Sequence, residues 1–269
     1  MEGNFPSCLS QVTNLRHDKA GRWGRQTSRD DLMSESTISS LSKSAVLARA
    51  QHLLPEYRAA IANIPPEAGF GGIWESEMLL FYAAVQPFAP KQILESGRAR
   101  GKSTLILARC FPDARIISVE FDRQSENAAA AEAKLKPYPN VDLLYGDSRI
   151  ILPRRLQHDD AVLIDGPKEF RALALALDLL RTGKPCVVFV HDFPPDAPWR
   201  RFVERHWRNV FFGDDPLFER FQTLDEERDP RETPNRSYGI FACLPPELPS
   251  PYWQLRLRLL VTRAFRRVF

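Results

Sequence analysis

From Gln92 onward the chain alternates between short apolar, β-rich runs and helical patterns of about ten to fifteen residues. The runs are Gln92–Ser96, Arg115–Glu120, Val141–Tyr145, Ala161–Asp165 and Cys186–His191. Helices fit between them at Lys102–Phe111, Ser125–Lys136, Arg149–Leu156 and Glu169–Thr182. Strand and helix alternating in this way imply βαβ units, hence an α/β fold with a mostly parallel, doubly wound sheet and helices on both faces. Two later runs, Phe218–Thr223 and Ser237–Leu244, are expected to finish the sheet as an antiparallel edge pair. Ligands of such sheets bind at the carboxyl ends of the strands. Four of the five runs end in, or just before, a carboxylate, so the polar residues there are the candidate site.

The flanks read differently. Residues 1–43 are rich in Ser, Thr and charge with no sustained period, which predicts a mobile tail. A helical cap is expected over 44–90: one amphipathic helix from Ser44 to Ile64, broken near Pro55 and closed by Pro65-Pro66, then a second from Glu75 to Gln86. The main domain spans 91–245, and 246–269 form a C-terminal basic helix. The net charge of +3 is uneven: residues 251–269 carry five Arg and no acid, while residues 1–45 carry six basic and five acidic side chains. A mildly acidic body with a basic tip argues against a nucleic-acid reader. Cys8, Cys110, Cys186 and Cys243 lie far apart, with no CxxC pair, which argues against a disulfide framework and a structural zinc site. With no apolar leader and no run near the ~18 apolar residues of a membrane span, the expectation is a cytoplasmic protein.

The segment Ile93-Leu94-Glu95-Ser96-Gly97-Arg98-Ala99-Arg100-Gly101-Lys102-Ser103-Thr104 joins a strand to a helix through two glycines. Glycine lets the backbone approach a ligand closely, and a helix N-terminus favours negative charge. Three readings compete. A P-loop requires four residues between its glycines, whereas Gly97 and Gly101 are separated by three, so Gly101-Lys102-Ser103 is an imperfect match. A dinucleotide loop, G-x-G-x-x-G, is not supplied by Ala99 and Lys102. The third pattern, E-x-G-x-x-x-G-x-S, is met by Glu95, Gly97, Gly101 and Ser103. Beyond the loop, Glu120 ends the second run, Gly146-Asp147-Ser148 follow the third, Asp165-Gly166-Pro167-Lys168 end the fourth and His191-Asp192 the fifth.

With these residues in place, the chain resembles the class I S-adenosylmethionine-dependent methyltransferases, most closely the catechol-type O-methyltransferases and related bacterial small-molecule enzymes. The resemblance spans about Gly71 to Leu244 and implies a Rossmann-like, seven-stranded sheet with an antiparallel edge strand. It implies that Glu95, Gly97, Gly101 and Ser103 line the methionine side of the cofactor, that Glu120 holds the ribose, and that Asp147 and Ser148 meet the adenine. Each has a plainer reading as a turn glycine or a solvated strand-end carboxylate. Asp165-x-x-Lys168 matches the pattern in which the Asp binds Mg2+ and the Lys is the base, and Asp192 falls where a second metal carboxylate belongs. Two carboxylates at adjacent strand ends suit one hard cation. Phe193 stands where the family has a ligating Asn. His191 is either a general base or a buried strand-end histidine.

The function implied is methyl transfer to a hydroxyl of a small molecule, with Asp165, Lys168 and His191 as the catalytic candidates. Two alternatives stand beside it: a P-loop-like nucleotide-triphosphate enzyme built on Gly101-Lys102-Ser103, and a non-catalytic module that keeps only the fold. Arg98 and Arg100 are candidates to meet an anionic substrate, and Trp74, Phe81 and Tyr82 are either pocket or core. In the C-terminal helix, Trp253, Leu257, Leu260, Val261, Ala264, Phe265 and Val268 form one apolar face, with Leu259 out of place. That face is expected to dock on the body or on a second subunit, making a homodimer. Its rival role is peripheral contact of 253–269 with the inner face of an anionic membrane.

Overall fold

The computed structural model describes residues 40–64, 72–228 and 240–265. The expected tail to residue 39, Pro65-Pro66, Ser237 and the last four residues lie outside them. Seven strands, β1 Gln92–Ser96, β2 Arg115–Glu120, β3 Val141–Tyr145, β4 Ala161–Ile164, β5 Val187–Val190, β6 Phe211–Phe212 and β7 Ala242–Leu244, form one sheet in the order β3-β2-β1-β4-β5-β7-β6. β1 pairs in parallel with β2 and β4, with Leu94 opposite both Ile117 and Val162. β7 runs antiparallel to β5 and to β6. The Phe218–Thr223 run is not a strand. Pro216–Gln222 is a 3-10 turn capped by Asp215, whose side chain accepts from the Leu217 N–H, and the edge strand is Phe211–Phe212 instead. Proline just inside a turn and an aspartate before it favour a helical start over extension.

Alternation along each strand divides the core in two, because successive side chains leave a strand on opposite faces. Ile93, Leu163, Val187 and Phe189 point to one face, and Leu94, Val162, Val188 and Val190 to the other. The first face is covered by α1 Lys43–Ile61, α2 Glu75–Val85, α3 Lys102–Cys110 and α4 Glu126–Leu135. The second is covered by α5 Ser148–Arg155, α6 Phe170–Leu180, α7 Pro198–His206 and, after the short α8 Thr223–Arg228, by α9 Tyr252–Phe265. α1 runs unbroken through Pro55, starting at the Ser42 cap. Every residue of α2 is buried, including Glu75, Ser76 and Glu77. Trp74, Phe81 and Tyr82 are core, Phe81 meeting Phe189 with ring centroids 4.9 Å apart. Cys110, Cys186 and Cys243 are free thiols, two of them buried. Among the described residues no helix is long and apolar enough to cross a membrane.

Candidate active site

The chain leaves β1 toward β2 on one side and β4 toward β5 on the other, so the strand order reverses between β1 and β4. A crevice opens at their carboxyl ends at such a reversal. Gly97 and Gly166 make it narrow at the base. Gly97 has φ +81°, and a Cβ there would lie 2.4 Å from the Gly166 nitrogen and 2.5 Å from the Asp165 carbonyl carbon. No other residue fits without moving backbone. Gly101, also at φ +81°, caps α3, and a Cβ on it would meet Leu135 at 2.9 Å. Above the glycines lies a cleft of about 800 Å3, reached by Gly97, Glu120, Asp147, Ser148 and Lys168. Phe121, Arg149 and Arg263 line it too, none of them expected there from the sequence.

On the β1–β3 side the polar groups are held by their own neighbourhood. Glu120 accepts from the Ala99 N–H at 2.9 Å and from the Phe121 N–H at 2.8 Å, tying the second strand end to the glycine loop. Asp147 caps α5, accepting from the Arg149 N–H, and its pairing with the Arg149 guanidinium holds its carboxyl below the usual range. Glu95 does not line the cleft. It is fully buried beneath the loop and accepts hydrogen bonds from Thr104 and, at 2.6 Å, from Ser118. Burial pushes its carboxyl up, against the hydrogen bonds from Ser103, Ser118 and Thr104. Ser103 is buried with it, so both residues build the turn from behind.

Lys102, the residue a P-loop would aim at phosphate, is buried with its ammonium 3.4 Å from Glu75 of α2. It does not line the cleft, and the triphosphate alternative loses its essential cation. Arg98 is likewise buried, donating to the Ser118 carbonyl at 2.6 Å with its guanidinium over the Tyr145 ring. Arg100 donates to Asn127 of α4. Both arginines are held by the protein itself.

At the ends of β4 and β5 four candidates come together. Lys168 places its ammonium 2.5 Å from Asp165 and 2.6 Å from Asp192. His191 sets Nδ1 3.0 Å from Asp165 and 3.1 Å from Asp192, and Nε2 3.1 Å from Glu77. Glu77 lies 114 residues away in α2 and also accepts from the Phe241 N–H, so it is pinned from two elements. Burial alone would lower the His191 imidazole, but Asp165 and Glu77 outweigh it and hold it well above its ordinary 6.5. Burial opposes the Asp192 charge, yet His191 and Lys168 bring that carboxyl down to about 2. For Lys168, too, burial is outweighed by Asp165 and Asp192, which raise it. Asp192 reaches this position at φ +63°, a left-handed conformation that aspartate tolerates better than most residues.

Asp165, His191 and Asp192 offer ligand atoms within 4.8 Å of one another, a spacing that suits a cation. The donors are nevertheless committed to internal partners. The Lys168 ammonium sits between the carboxylates, and His191 Nδ1 faces both. Phe193, wholly buried in the core, adds no ligand, so Mg2+ on the expected pair of Asp165 and Asp192 would have to displace the Lys168 ammonium and take its remaining oxygens from water. His191 is not arranged as a general base, since both of its nitrogens face carboxylates.

Glu77 was not identified from the sequence. Its only local signal is an acid directly before the apolar run Met78–Val85, which says nothing of a partner at His191.

Residues 94–193 match a family model described as a methyltransferase domain. No curated sequence matches the chain. Similar solved structures include the O-methyltransferase from Bacillus cereus in complex with SAH, 18% identical over 79% of this chain and 96% of that one, with a TM-score of 0.43. Another is the O-methyltransferase TomG of Streptomyces achromogenes, involved in tomaymycin synthesis and crystallised with SAM, 20% identical over 81% of this chain and 97% of that one, TM-score 0.41. A third is the SAH-bound methyltransferase PaMTH1 of Podospora anserina, 17% identical over 71% and 86%, TM-score 0.41. The matched span runs from β1 to the residue after Asp192 and so contains both sides of the cleft. The similarity to a methyltransferase domain covers residues 94–193, 100 of the 269 residues of the chain.

Proposed function

We propose that this chain is a methyltransferase that uses S-adenosylmethionine as donor and a hydroxyl of a small molecule as acceptor. The observation that carries the reading is the crevice itself. A backbone floor open only to glycine is flanked on one side by Glu120, Asp147 and Ser148 and on the other by Lys168, whose ammonium is held by Asp165 and Asp192 behind it. The first side holds the nucleoside, with Glu120 exchanging its backbone partners for ribose hydroxyls. Acidic walls also suit a cationic sulfonium.

When bound, S-adenosylmethionine supplies the methyl group, whose bond to sulfur breaks as the acceptor oxygen attacks. The chain's own task is to position that hydroxyl, take its proton and stabilise the charge that develops on oxygen. Asp165 is the proton acceptor: its side chain is 16% exposed, next to the cleft-lining Gly166, and its carboxylate links Lys168 to His191. The Lys168 ammonium, half exposed at the cleft, faces the developing oxyanion. His191, clamped between Glu77 and Asp165, is a positioning residue that holds the Asp165 carboxylate in place. No step is routed through a metal ion, and nothing observed favours the non-catalytic module.

Isothermal titration with S-adenosylhomocysteine tests the cofactor assignment. Binding is expected, weakened about tenfold in Glu120→Ala, the effect of losing a charged hydrogen-bond partner. Binding of ATP with magnesium instead, or of neither ligand, would overturn it.

A further inference from the structure

The C-terminal helix does not dock by the face its sequence pattern suggests. α9 is attached through Leu255 and Leu259, both buried, with Tyr252 donating to Asp178 of α6 and Arg181 stacked over the Tyr252 ring. Leu259, the residue out of place in the sequence pattern, is a docking residue. The apolar stripe points to solvent: Trp253 is 65% exposed, Leu257 55%, Leu260 56% and Phe265 62%. Five of the eight large exposed hydrophobic residues among those described lie on this one helix of 14 residues. Because the helix is held from its other side, the stripe is not needed to attach it. A patch of this kind marks an interaction surface.

We propose that α9 is a peripheral docking helix that lays this stripe into an anionic lipid surface. At 100° per residue, Arg256 and Arg263 fall along one border of the stripe and Arg258 along the other. Apolar residues between two rows of arginine are the arrangement of an interfacial helix, with the side-chain stems lying along the apolar boundary and the guanidinium heads at phosphate level. Charge selects the occupant. Residues 251–269 carry five Arg and no acid, so a second copy packed stripe to stripe about a two-fold axis would bring arginine against arginine. Residues 1–45 are nearly balanced in charge and offer no acidic run to cover the stripe. Anionic phosphate headgroups complement both the arginines and the apolar centre. The helix also adjoins the cleft, since Arg263 lines it, as does Phe121, which is 74% exposed.

Flotation of the full chain with vesicles of phosphatidylcholine, alone or mixed with phosphatidylglycerol, tests this. The expected result is binding to the mixed vesicles only, weakened by salt, and reduced at least about tenfold in both Leu257→Glu/Leu260→Glu and Arg258→Glu. Thermal unfolding midpoints close to that of the parent protein establish that these exposed substitutions leave the fold intact. Absence of vesicle binding, equal binding to neutral vesicles, or undiminished binding by either variant overturns the proposal. A dimer in sedimentation velocity that Leu257→Glu/Leu260→Glu dissociates, without vesicle binding, overturns it in favour of a second copy.

Discussion

The two sides of the cleft are built on opposite principles. At the ends of β1, β2 and β3, polar groups are satisfied close by and largely by the loops that bear them: Glu120 by the Ala99 and Phe121 N–H groups, Asp147 by the N–H and guanidinium of Arg149 two residues on. Bonds of that kind are easily exchanged for those of a ligand. At the ends of β4 and β5, charges are matched by other charges, most of them from other elements: His191 by Glu77, and Lys168 by Asp192 and by Asp165 three residues before it. Removing one member there strands a partner, at a cost well above the worth of a surface pair. The first side is therefore suited to binding, and the second to holding a proton and a charge in fixed positions.

That contrast can be broken most severely at the floor the two sides share. Gly97→Ala drives a Cβ into the backbone of Asp165 and Gly166 and should abolish S-adenosylhomocysteine binding and lower the unfolding midpoint. Titration calorimetry and a thermal melt check both, and retained affinity would mean the cofactor does not sit on this floor. Asp165→Asn should next cost about 10²–10⁴ in kcat while leaving cofactor affinity within about twofold, read from steady-state kinetics and titration. A parallel loss of affinity would erase the distinction between the two sides.

The charged cluster should also show itself in the pH dependence of stability. The Asp192 carboxyl lies below its ordinary 3.8, at about 2, so its contribution is present above the ordinary value and is lost as pH falls toward about 2. His191 is raised, so its contribution is present below its ordinary 6.5 and is lost only as pH climbs through the raised value. Melting midpoints of the parent protein and Asp192→Asn should therefore converge as pH falls below about 4. A constant gap from neutral pH to pH 2 would remove Asp192 from the cluster. The smallest effect concerns metal: with Lys168 between the carboxylates, magnesium or a chelator should change turnover by less than about twofold. A strict magnesium requirement would show that the ammonium yields its place.

Features carried by neighbours in the chain were legible. The glycine loop, the order of strands and helices and the carboxylates at strand ends follow from backbone conformation and period, which act over a few residues. Every one of β1 to β5 lies within a residue of its expected bounds. What escaped were pairings across the fold. Lys102 reads as a phosphate ligand until Glu75, from the buried α2, claims it. Glu95 reads as a cofactor residue until Thr104 and Ser118 draw it beneath the loop. Phe218–Thr223 reads as a strand until Asp215 and Pro216 start a turn and Phe211–Phe212 takes the edge.

α9 marks the boundary most plainly. Periodicity correctly gathers Trp253, Leu257 and Leu260 on one side, because helical geometry decides which residues share a face. It does not decide which face meets the protein. That depended on the surface of α6, where Leu255, Leu259 and Tyr252 find apolar cover and a partner at Asp178. By itself the sequence determined the order of elements, the cleft floor and the residues at its rim, since these rest on local conformational preference. Tertiary structure alone decided which carboxylates are neutralised, which lysine faces the cleft and which side of the last helix faces water, because those depend on groups far apart in the chain.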